Sequence, residues 1–232
     1  MPKMLRAVFI FIFAALAIAG AEWGKEIGSA QYLHYIFKPL TTLAIFFFAW
    51  RNQPVISRTY QTAVLIGIIC SLIGDIFLML PGTVFRHGFL CGLLSFLLAH
   101  ICFLRAMISD SRFAGKPLAF AGIAALGIIN LVILWPGLPT ALHIPVVAYV
   151  CLLLCMTAQA ISRGLQLRSL SGRLGLIGGL CFMLSDTLLA YNRFYIPITH
   201  SPLLILSSYY LALWLIAASV TSSPTEQGQD HA

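Results

Sequence analysis

The stretch Leu72-Ile73-Gly74-Asp75-Ile76-Phe77-Leu78-Met79-Leu80 places one carboxylate inside a long apolar run, and Met183-Leu184-Ser185-Asp186-Thr187-Leu188-Leu189-Ala190 repeats the arrangement. The sequence holds seven acidic residues. Glu22, Glu26, Asp110, Glu226 and Asp230 fall in segments that read as loops or tail, which leaves Asp75 and Asp186 inside. A carboxylate at membrane depth costs a few kcal/mol, and such residues face a bundle interior, a partner or a water-filled cavity. These two aspartates are therefore the expected functional centre.

Outward from them the chain is overwhelmingly apolar. Hydrophobic residues make up 60% of the 232 and charged residues 9%, with mean hydropathy +0.94. Soluble domains carry about 25% charged residues, so the composition is that of an integral membrane protein. A span needs about 20 predominantly apolar residues. Eight are read, at 4–22, 32–50, 60–80, 86–104, 117–135, 142–161, 172–191 and 200–220. The expected fold class is an all-α bundle of eight transmembrane helices forming one domain over 1–221, followed by a polar tail over 222–232. The first run also fits a cleavable signal peptide, but its length and the even helix count that follows favour retention.

The net charge of +7 is spread singly over short loops, which suits membrane orientation better than nucleic acid. Lys3, Arg6, Arg51, Arg58, Arg105, Arg112, Lys116, Arg163, Arg168 and Arg173 fall on one side, and Lys25, Arg86 and Arg193 on the other. Both termini are thereby expected in the cytoplasm, and a bacterial inner membrane is the expected location. The third and seventh spans then run outward, with Asp75 and Asp186 about five residues below their outer ends. Lys38, His87, Asn192, Arg193 and His200 lie near that level. The matching positions of Gly74-Asp75 and Ser185-Asp186 in the third and seventh spans suggest a four-plus-four tandem repeat.

Each polar residue carries a bland reading as well as a functional one. Lys38, sharing a helical face with His34, Thr41 and Thr42, is a counter-ion to an aspartate, a ligand for a lipid phosphate, or a snorkelling surface lysine. Asp75 has Ser71 one turn behind it, and Gly74 permits close approach. His100, with Ser95 about one turn earlier, counts to the cytoplasmic end of the fourth span, where a structural hydrogen bond competes with a site role. Tyr209 and Tyr210 line a cavity or merely pack. The six cysteines lie in apolar runs without a CxxC pair and read as small buried hydrophobes. No HxxxH, HExxH or DxxD spacing supports a metal, and no cofactor motif is present.

The motifs Lys38-Pro39-Leu40, Gly74-Asp75-Ile76-Phe77-Leu78, Gly92-Leu93-Leu94-Ser95-Phe96-Leu97-Leu98-Ala99-His100 and Ser185-Asp186-Thr187-Leu188-Leu189-Ala190-Tyr191-Asn192-Arg193-Phe194 resemble the YhhN family, and Tyr209-Tyr210 fits the same pattern. The resemblance covers about 35–216. Where that family favours glutamine after the tyrosine pair, this chain reads Leu211-Ala212-Leu213-Trp214. The resemblance implies a lysoplasmalogenase, a membrane enzyme hydrolysing the vinyl ether of lysoplasmalogens to a fatty aldehyde and a glycerophospho-alcohol. It implies Asp75 and Asp186 as acid and base, with Lys38, Asn192, Arg193, Tyr209, Tyr210, Ser95 and His100 contacting the lysophospholipid. Rival readings are a proton-coupled transporter using the two aspartates as a relay and a non-catalytic lipid-binding protein.

Overall fold

The computed structural model describes residues 3–24, 27–81 and 83–221. The tail expected at 222–232, with Glu226 and Asp230, lies outside the described residues, as do Lys25 and Glu26. Among the described residues eight helices are long and apolar enough to cross a membrane. They are α1 (Lys3–Trp23), α2 (Gln31–Arg51), α3 (Arg58–Met79), α4 (Gly88–Ile108), α5 (Pro117–Leu134), α6 (His143–Leu167), α7 (Leu170–Phe194) and α8 (Ser201–Ala218). Single 3-10 turns at Gly28–Ala30, Trp135–Gly137 and Thr140–Leu142 complete the described elements.

Local chemistry fixes several ends. The Ser57 and Ser169 hydroxyls accept from the backbone N–H of Tyr60 and Gly172, capping α3 and α7 and filling two donors that a helix start leaves open. Pro117 opens α5 at a position whose missing N–H costs nothing. The end of the bundle where α1 starts is called the near end, and the opposite one the far end.

Small residues let the helices close up. α3 packs on α4, α7 on α8 and α6, and α1 on α2, while α4 also meets α6 and α2 meets α8. Ile10, Ala14 and Ala17 carry α1 into the common core with Ile45, Ile68, Phe103, Phe182 and Ile216. α5 packs chiefly on α6, and most of its surface is left to face lipid.

Three expectations change. α6 runs past 161 to Leu167, because its polar end is not a loop. Gln159 and Gln166 bond Ser111 and the carbonyl of Arg112 in the α4–α5 connection. Arg163 is consequently a fully buried helix residue, with Nε and Nη2 bidentate to Asp110 at 2.7 and 2.6 Å, rather than a loop charge. The cysteines are all free, five half-buried and Cys151 exposed, so they lie at the edge of the core, with Cys70 and Cys181 packed against it, rather than fully inside.

Candidate functional site

Asp75 and Asp186 each anchor a polar cluster, and the two clusters differ. Asp75 on α3 is 1% exposed. Lys38 on α2 puts Nζ 3.4 Å from its Oδ1, while Thr42 donates at 2.8 Å and Tyr209 of α8 at 2.7 Å to Oδ2. Pro39 breaks the α2 ladder one residue after Lys38. The other members of the expected α2 stripe serve locally: Thr41 donates to the Phe37 carbonyl and His34 meets the Ala17 carbonyl of α1. A buried carboxylate with one ammonium and two hydroxyl donors is a satisfied ion pair.

Asp186 on α7 has different surroundings. Tyr149 of α6 donates to its Oδ2 at 2.6 Å, and His100 Nε2 of α4 lies 3.7 Å from the same oxygen. Neither ring nitrogen of His100, which is completely buried, has a hydrogen-bond partner among the described residues. The imidazole is held edge-on between Tyr149 and Phe182, at 5.1 and 4.8 Å between ring centres. No arginine or lysine ion-pairs with Asp186 among the described residues.

The placement of His100 corrects the count from sequence. α4 begins at Gly88 and ends at Ile108, so His100 is mid-helix. α7 continues to Phe194, so Asp186 sits eight residues, about 12 Å of rise, below its far end. Both shifts bring the two residues closer in depth, and their side chains meet.

Asp186 also opens onto space. A cavity of about 270 Å³ is lined by Tyr149, Asn130, Thr187, Phe96 and Met183, with aliphatic side chains of α4, α5, α6 and α7 making most of the remainder. Two of its lining residues, Leu126 and Leu184, are about half exposed, so the cavity lies toward the outside of the bundle. Asp75 and Lys38 do not line it. Aromatic rings stand between the clusters: Phe182 contacts both His100 and Tyr209, and Phe96 contacts Tyr209. Phe96 lies so close to Gly74 that a Cβ there would come within 2.7 Å of its ring; the glycine before Asp75 is what allows this wall.

The remaining expected residues divide. Arg193 is exposed, ends α7 two turns beyond Asp186, and lies 4.1 Å over the ring of Phe89, itself a cavity wall. Asn192 accepts from the Ile198 N–H and pins the α7–α8 connection. Ser95 donates to the Cys91 carbonyl of its own helix. Tyr210 is buried beside Tyr209, ring centres 5.4 Å apart. Tyr149 was not singled out from the sequence. A tyrosine in an apolar helix carries no motif, and only the packing of α6 on α7 aims its hydroxyl. Among the described residues no group of three or more His, Cys, Asp or Glu is placed to hold a metal.

The profile of the YhhN family matches residues 33–220. The chain is 31% identical over 192 residues to a human protein named lysoplasmalogenase TMEM86A, covering 80% of this chain and 76% of that one. It is 35% identical over 158 residues to a Sus scrofa protein named lysoplasmalogenase TMEM86B, covering 68% and 63%. A Mycobacterium bovis protein named lysoplasmalogenase matches at 32% over 133 residues, covering 55% and 48%. No solved structure matches the chain.

Proposed function

The chain belongs to the YhhN family, and from that premise we propose that it is a membrane-embedded lysoplasmalogenase whose reacting carboxyl is Asp186. The names of its relatives support a hydrolase acting on the vinyl ether bond. The observation that carries the assignment is the cavity: a largely apolar space with one carboxyl set in its wall.

A vinyl ether is hydrolysed by rate-limiting protonation at its β-carbon, so it needs a proton donor and then an anion beside the cation that forms. Asp186 gives its proton to the carbon, leaving a carboxylate next to the oxocarbenium ion. Water adds to the cation and the same carboxylate takes its proton, so one group serves as acid and then base, as one carboxyl does in retaining glycosidases. The hemiacetal collapses, releasing the aldehyde and returning a hydroxyl to the glycerol. Tyr149 orients Asp186 throughout, and His100 gives the carboxylate its nearest basic neighbour. Asp75 acts at one remove as a positioning residue: its pairing with Lys38 and Tyr209 sets the rings of Phe96 and Phe182 against the site.

The substrate lies along α7. Seven residues separate Asp186 from Arg193, about 10 Å of rise, comparable with the reach of the glycerol unit between the vinyl ether and the phosphate. Arg193 then meets the phosphate, and the alkenyl chain runs the other way among Met183, Leu153 and Leu154. The far end belongs outside the cytoplasm on this reading, with both termini inside and the bacterial inner membrane as host. The four-plus-four repeat is also part of the reading. Asp75 on α3 is met from α2 and α8, and Asp186 on α7 from α6 and α4, the relation that equivalent halves would give.

Mass spectrometry of purified protein incubated with ethanolamine and choline lysoplasmalogens tests this. Wild type releases fatty aldehyde, and Asp186→Asn, folded to the same melting curve, loses about 10²- to 10⁴-fold in turnover. Near-normal release by that variant would remove Asp186 from the mechanism, and no release by wild type would favour a transporter.

A further inference from the structure

At the near end, away from Asp186, α1 and α2 enclose a second cavity of about 550 Å³ lined by Arg6, Phe9, Ala44, Phe47, Phe48 and Arg51. Two guanidinium groups thus share one space. Neither has a carboxylate within ion-pair distance among the described residues. Nε and Nη1 of Arg6 are buried behind this wall without a hydrogen-bond partner among those residues. A guanidinium nitrogen shielded from water and lacking an acceptor is a costly arrangement, and a second like charge adds repulsion. An anion between the two offsets the repulsion and sets a counter-charge beside the buried nitrogens.

The walls say which kind of anion. Phe9 and Phe47 are 40% and 44% exposed on the surface that faces lipid. Trp50, beside Arg51, is also exposed, and an outward tryptophan next to a terminal arginine marks headgroup depth. The cavity therefore lies where a phospholipid phosphate would be, with aromatic side chains beside the path of its acyl chains. Arginine presents a planar fork of donors that fits phosphate oxygens two at a time.

We propose that the α1–α2 cavity is a binding site for the phosphate of an acidic phospholipid, held by Arg6 and Arg51. It is separate from the Asp186 cavity, and it does not depend on the vinyl-ether reading. The ligand joins two helices at the near end of the bundle.

The test is native mass spectrometry of the full-length protein in detergent, titrated separately with phosphatidylglycerol, phosphatidylcholine and inorganic phosphate. Wild type retains phosphatidylglycerol roughly tenfold more tightly than phosphatidylcholine, and Arg6→Gln/Arg51→Gln loses that preference. Arg6→Lys/Arg51→Lys keeps the charge, loses the planar fork, and falls between the two; it also stands in if the glutamine variant does not fold, which lipid-free melting reports. Equal retention of phosphatidylglycerol by wild type and either variant would overturn the site. Arginine-dependent binding of inorganic phosphate with no retention of phosphatidylglycerol would overturn the lipid assignment.

Discussion

Asp75 and Asp186 look interchangeable as residues in a list, and their neighbours make them different. Asp75 has an ammonium at 3.4 Å and two hydroxyl donors in a site closed to the cavity. Asp186 has one phenol, an unbonded imidazole, and open apolar space. This difference predicts opposite consequences of the same change. Asp75→Asn strands the Lys38 ammonium in the core, and removing one partner of a buried pair costs about 3–5 kcal/mol. Replacing both, as in Lys38→Met/Asp75→Leu, removes the stranded charge and recovers most of that loss. Thermal melting in detergent reads both variants. An Asp75→Asn protein that melts with the wild type would refute the structural role given to the pair. The candidate residues were legible at this scale because a polar group in an apolar span is conspicuous. Tyr149 was not, since its aromatic ring belongs in such a span and only its hydroxyl meets Asp186.

At the scale of elements, α7 carries Asp186 and its neighbours shape the cavity beside it. Met183, Asp186, Ala190 and Phe194 recur at helical spacing and all line the cavity. Met183 lies a turn below Asp186, on the side assigned to the alkenyl chain. Met183→Trp fills that part of the cavity and displaces about two methylenes of a long chain. At about 0.8 kcal/mol per buried methylene this is about tenfold in kcat/KM. Short-chain lysoplasmalogens, which do not reach that depth, lose much less. Equal losses for long and short chains would place the alkenyl chain elsewhere. The sequence located every helix to within a few residues but misjudged the ends of α4, α6 and α7. The polar end of α6 remains helical because Ser111 and Asp110 of the α4–α5 connection meet Gln159 and Arg163.

The whole molecule is tied at its near end by Arg163. Its guanidinium spans Asp110 after α4, the Ser171 hydroxyl and carbonyl of α7, and the ring of Tyr60 on α3 at 4.5 Å. Ser171 in turn donates to the Ser219 carbonyl at the end of α8. Five helices therefore meet around one cation, far from the Asp186 cavity. Arg163→Leu leaves Asp110 without its partner and costs about 3–5 kcal/mol, which lowers the melting midpoint. Turnover measured well below that midpoint stays near wild type, because the site itself is untouched. A variant that melts normally but has lost turnover would show that the tie and the site are coupled. By itself the sequence determined that the chain is an eight-helix membrane bundle, since span length and hydropathy are local properties set by bilayer thickness. It also singled out the two aspartates, because the apolar background makes an isolated charge visible. Only the tertiary structure decided which aspartate meets the cavity, that His100 and Tyr149 stand beside it, and that Lys38 is committed to Asp75. Those facts depend on how helices distant in sequence are rotated and offset against one another, and that is settled by side-chain packing between them.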